Sequence, residues 1–128
     1  LGEVPDMLEL LRACDLCLLP AESLYAKMDY PLVLLEALAL GVPIVVANVP
    51  PLSELMDDPV GQAVPPGDPA ALAQACRTLL EKSPEARDAL NVRCREVACQ
   101  RHDIAAVSRE HEDLYQDLLA RKEDPNHG

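Results

Sequence analysis

Residues 28–49 read MDYPLVLLEALALGVPIVVANV. Pro31 stands where a helix can begin, because the first turn would leave its missing N–H unbonded anyway. An almost wholly apolar run, LVLLEALAL, follows and ends at Gly41, the residue type that accepts the left-handed conformation just past a helix. Residues 43–47, PIVVA, are short, apolar and β-branched, as a strand buried on both faces would be. The pattern predicts a helix over 30–40 joined by a glycine to a strand over 43–47, which is the unit of a parallel sheet.

The same alternation extends outward. Residues 5–13, PDMLELLRA, place Met7, Leu8, Leu10 and Leu11 at helical spacing, and 15–20, DLCLLP, form an apolar run closed by proline, a second buried strand. A polar loop spans 21–29. Downstream, Pro50-Pro51 precedes a brief helix at 52–56. Residues 61–64 read as a third strand closed by Pro65-Pro66-Gly67. Asp68 is then a natural N-cap with Pro69 at the first helical position, for a helix through 80. Pro84 opens another helix to about 101, and a last one covers 104–119. The expected fold is α/β: half of a doubly wound, Rossmann-like parallel sheet of about three strands with flanking helices. One partial domain covers 1–121, and 122–128 form a frayed tail. One sheet edge would stand open, available for a homodimer.

Composition narrows the partners. The 128 residues carry a formal net charge of −11, with three Tyr and no Trp or Phe. That balance opposes nucleic acid, which needs a basic footprint and stacking platforms, and opposes an anionic membrane surface. An anion can still be held by backbone N–H groups at a helix start. No stretch reaches the roughly 18 apolar residues of a membrane span. The chain opens on Leu1 without a signal-peptide pattern, as a piece of a longer cytoplasmic protein would. Five cysteines, an odd number at irregular spacing, read as reduced thiols rather than a disulfide framework. Cys14-x-x-Cys17 could be a redox or zinc pair, but no second Cys or His pair lies close in sequence, so structural thiols are the plainer reading and no metal site is expected.

Ligands of open α/β sheets sit outside the carboxyl ends of the strands. The loop after Pro20, the helix start at 30–33 and the loop after Ala47 should converge there. The N–H groups of Leu32 and Val33 are free to take a phosphate, with the positive end of the helix dipole behind them. Glu36 is the one charged residue in an otherwise apolar helix, which would be buried on most sides, and carboxylates are rarely buried unpaired. A sugar diol would suit it, since an ionised carboxylate accepts from two hydroxyls. A solvated helix face, or a pair with Lys27 or Arg12, would explain it equally well.

The order CDLCLLPA (14–21), residues 28–47, SEL (53–55), GQAVPPGD (61–68) and the Leu114-Tyr115 helix resembles the C-terminal domain of the group-one, or family four, glycosyltransferases of GT-B architecture. The resemblance covers nearly the whole chain. It implies a hexosyl-type transferase in the full-length parent, acting on a nucleotide-diphosphate sugar as donor substrate, with no cofactor. It implies that the backbone at Leu32 and Val33 contacts the pyrophosphate and that Glu36 holds the ribose. No catalytic residue is assigned. Two departures stand out: Met28 falls where the family has a sugar-contacting Glu, with Asp29 beside it as a substitute and Lys27 within reach of the phosphates. The family's cationic clamp and its acceptor-binding N-terminal domain would lie upstream of Leu1. The fragment alone is therefore expected to be inactive, with the missing N-terminal part as its partner and as a route to peripheral membrane attachment. The alternatives are a degenerate transferase-like domain kept as an interaction module, and another Rossmann-like nucleotide-sugar enzyme such as an epimerase. An epimerase would place a carboxylate or His in the cleft, and none of the three His residues is expected near it.

Overall fold

A computed structural model describes residues 5–21 and 31–123. The elements run α1 (Met7–Arg12), β1 (Cys17–Leu19), α2 (Leu32–Leu40), β2 (Ile44–Ala47), a 3₁₀ turn (Leu52–Asp57), β3 (Gly61–Val64), α3 (Pro69–Leu80), α4 (Pro84–His102) and α5 (Ile104–Glu123). The three strands form a parallel sheet in the order β1-β2-β3, in register Cys17 with Ile44 and Ile44 with Gly61. The α/β half-sheet is thus as expected. Its boundaries differ by a residue or two at β1 and α2, and α5 runs one turn past residue 119, to Glu123.

Alternation along β2 divides the core. Ile44 and Val46 face a layer made by Leu34, Ala37 and Leu38 of α2, Cys94 and Val97 of α4, and Leu52 and Leu55 of the 3₁₀ turn. Val45 and Val64 face Ala75 and Leu79 of α3. All of β2 is buried, because a parallel strand with helices on both sides has no wet face. Among the described residues β1 pairs with β2 alone, so its other edge carries no strand, and Leu18 is 45% exposed there.

Two glycines make the packing possible. Gly61 takes the place in β3 where a Cβ would run into the backbone of Ile44, so the β2–β3 register depends on it. Gly41 ends α2 at φ +82°, and the Arg95 guanidinium occupies the space a side chain would need. Caps follow the sequence closely. Asp68 Oδ1 accepts from Ala71 N at 2.9 Å, Ser83 Oγ accepts from Ala86 N at 3.3 Å, and Asp6 Oδ1 accepts from Glu9 N at 3.0 Å, each satisfying a donor the first turn leaves open.

Candidate functional site

The carboxyl ends of the three strands meet around a crevice of about 280 Å³, lined by Pro20, Ala47, Val64 and the Pro65–Pro69 corner with Leu72. Asn48 N donates to Val64 O at 2.7 Å, carrying the β2–β3 ladder to its rim. The crevice is largely apolar, and its one carboxylate, Asp68, is engaged in capping α3. Pro20 and Ala47, at the ends of β1 and β2, therefore meet at this crevice, whereas the start of α2 does not line it; the loop expected after Pro20 lies, beyond residue 21, outside the described residues.

α2 begins at Leu32 with Pro31 as N-cap, extended at φ −60°, ψ 119°, and no side chain caps it. Leu34 N returns to Pro31 O at 2.9 Å. The N–H groups of Leu32 and Val33 precede the helical ladder, as first-turn donors do. Leu32 is 72% exposed, whereas the Val33 side chain packs against the core, so its backbone rather than its side chain is what it can offer a ligand.

Glu36 corrects one premise. It is exposed, not enclosed by apolar neighbours. Only Leu34, Ala37 and Leu38 of α2 are buried, a stripe narrower than the composition implied, and Glu36 sits on the opposite face. Among the described residues it takes part in no hydrogen bond or ion pair; Arg12 pairs with Glu9 at 3.5 Å instead. Leu32, Leu35, Glu36 and Ala39 recur at helical spacing along one wall of a second, larger groove of about 600 Å³. Its other wall is α4 and the joint to α5, including Arg95, Cys99, His102 and Ile104. Asp29, Lys27 and Met28 lie outside the described residues.

His102 is a residue that the sequence reading did not single out. It shares the second groove with Glu36, 66 positions along the chain, while among the described residues no histidine lines the strand-end crevice. Burial lowers its pKa below the ordinary value, helped by Arg101 beside it. Sequence reading missed it because α4 is long and mostly polar, and nothing in its spacing says which residue of its last turn meets α2. The cysteines form no disulfide among the described residues. Cys14 Sγ donates to Leu10 O at 3.3 Å, while Cys17 is half-buried and its pKa is raised by burial and by Cys14. No group of three or more His, Cys, Asp or Glu among the described residues is arranged to hold a metal ion, and none of the described helices is long and apolar enough to cross a membrane.

With this geometry in view, comparison with known families is decisive. A family described as glycosyl transferases group 1 matches residues 1–82. The chain belongs to the group 1 glycosyl transferases. The match takes in α1, the whole sheet, α2 and α3, so both walls of the strand-end crevice and the Glu36 stripe are family structure. α4 and α5, and with them His102, lie beyond the matched residues of this transferase chain. No curated protein matches it.

Proposed function

We propose that this chain binds the nucleotide-diphosphate part of a sugar donor and presents it for glycosyl transfer in the parent protein, within a GT-B arrangement. The observation that carries the reading is the start of α2, where, among the described residues, the N–H groups of Leu32 and Val33 have no side-chain cap and lie one turn before an exposed Glu36 that makes no hydrogen bond or ion pair. A diphosphate at the helix start gains charge-assisted bonds and the favourable dipole. Glu36, about one helical turn (roughly 5.4 Å) further on, is spaced to accept from the two hydroxyls of a ribose. Transfer then proceeds by positioning the donor and stabilising the departing diphosphate with fixed donors. Asp29 and Lys27 belong to the same reading as contacts to sugar and phosphate.

The test uses the full parent protein with a panel of nucleotide sugars. Glu36→Ala should weaken donor binding about tenfold, the loss of a charge-assisted contact. Unchanged donor affinity in that variant would sink the ribose assignment.

The interaction-module reading has one observation of its own: Leu114, Tyr115, Leu118 and Leu119 of α5 are all more than half exposed. Detectable sugar transfer by the parent would overturn that reading.

A further inference from the structure

We propose that a small phosphate-bearing anion binds in a cavity at the amino ends of the strands, held by the guanidinium groups of Arg12, Arg87 and Arg95. The cavity has a volume of about 250 Å³. It lies where α1, α2 and α3 end and where the chain enters β1 and β2, at the opposite end of the strands from the apolar crevice. It is separate from the start of α2 and independent of how the donor is bound.

The charge gathered there is out of keeping with the rest of the chain. Net charge is −11, with 11 Lys and Arg in all, yet three arginines meet around one cavity against a single carboxylate, Asp15. Helix ends carry partial negative charge and could by themselves draw arginines. Their carbonyls, however, are taken up locally. Leu10 O accepts from Ala13 N at 3.2 Å, Leu38 O from Gly41 N at 2.9 Å and Arg77 O from Glu81 N at 2.9 Å. The Asn91 amide, oriented to donate, reaches Gly41 O at 3.1 Å.

The guanidinium groups are left with donors to spare. Arg95 lies against Gly41 and, among the described residues, makes no hydrogen bond or ion pair. Arg12 meets Glu9 at 3.5 Å, with both side chains largely exposed, a pair that contributes little. Arg87 pairs with Asp15 through Nη2, which engages one of the five donors of its guanidinium. Planar guanidinium forks match phosphate oxygens two at a time. Leu16, Leu79 and Leu90 add apolar wall, and the volume, below that of a pocket for a drug-sized ligand, suits a small phosphomonoester.

The test is isothermal titration calorimetry of the full parent protein with inorganic phosphate and with glycerol 3-phosphate. Both should bind, and Arg95→Gln and Arg87→Gln should each weaken them about tenfold, the loss of a charge-assisted contact. Arg95 is exposed, so its replacement does not threaten folding. Asp15→Asn should tighten both about threefold, because it frees Arg87 from a competing carboxylate; a purely structural ion pair would give no gain. Arg121→Gln, on α5 and outside the cavity, should change nothing. Tighter binding of the ester assigns the apolar wall to its carbon body, and equal binding assigns the cavity to phosphate itself; both support the site. Binding kept by Arg95→Gln and Arg87→Gln places the phosphate elsewhere, as at the start of α2, and overturns the cavity while sparing the donor reading. No binding to the unaltered protein, an equal loss in Arg121→Gln, or weaker binding in Asp15→Asn overturns it as well.

Discussion

Arg93 on α4 donates from Nη2 to Asp58 Oδ1 at 2.6 Å, across 35 residues of chain. Arg101 Nε reaches the other oxygen, Asp58 Oδ2, at 2.9 Å. One carboxylate, only 13% exposed, thereby ties the turn before β3 to two successive regions of α4, the helix that forms the far wall of the Glu36 groove. Removing Asp58 takes the shared carboxylate from both guanidinium groups and leaves Arg93 only its 3.4 Å bridge to Glu96, whereas removing Arg93 leaves Arg101 on Asp58. Asp58→Ala should therefore cost about 2 kcal/mol and Arg93→Ala about 1 kcal/mol in urea-induced unfolding; equal costs would show that the two bridges are not jointly held.

The two special glycines should differ in cost. At Gly41 an alanine meets a left-handed backbone and the end of a flexible Arg95 side chain, which can move; about 1–2 kcal/mol is expected. At Gly61 the obstacle is the Ile44 backbone within the sheet, which cannot move without breaking register, so about 3 kcal/mol is expected. Thermal melts of the two alanine variants should rank Gly61→Ala as the less stable.

Thiol reactivity should follow burial. Cys94 is fully buried, and that burial pushes its pKa up to about 11, so at mild alkaline pH it carries little thiolate and no access. Cys14 and Cys99 are exposed. Alkylation followed by mass spectrometry should label Cys14 and Cys99 first, Cys17 more slowly, and Cys94 only after denaturation. Early labelling of Cys94 would mean that α4 opens from the core in the native state.

His102 gives a pH signature. Its folded pKa lies below the value of about 6.5 that it has when unfolded, so below that pH the unfolded chain binds the extra proton first. Its contribution to stability is complete above pH about 6.5 and is lost as pH falls through the depressed folded value. Melts from pH 7.5 down to 5 should drop more steeply in the unaltered chain than in His102→Gln. A variant with the same slope would contradict a desolvated imidazole at that joint.

Glu36→Ala should change binding without changing folding. The side chain is exposed and unengaged among the described residues, so its removal is expected to stay within about 0.5 kcal/mol, whereas Leu38→Ala on the buried face of the same helix should cost about 3 kcal/mol. Parallel unfolding curves for the two variants separate a ligand-facing residue from a core one.

Much of the fold was legible because its signals are local. Gly41, the Asp68-Pro69 start of α3 and the β-branched run of β2 each act within a few residues, through backbone conformation, capping and side-chain branching. α2 was harder to read. Its near-uniform apolarity, Leu32 to Leu40, hides which stripe is buried, because periodicity carries information only where polar residues interrupt it. The inference that Glu36 must be enclosed failed for that reason. The convergence of Pro20 and Ala47 at the strand ends follows from parallel topology and could be anticipated; that α2's start opens onto a different groove could not.

The amino-acid order by itself determined the parallel three-strand sheet, the helix boundaries to within a turn, and the resemblance of the segment around α2 to a sugar transferase. These depend on dihedral preferences and short-range patterns that every copy of the sequence carries. Only the tertiary structure decided that Glu36 faces solvent, that His102 and Ile104 form the wall opposite it, and that Asp58 gathers Arg93 and Arg101. Those relationships join residues 35 to 68 positions apart, and they are set by how α4 packs along α2, a packing outcome that no local spacing encodes.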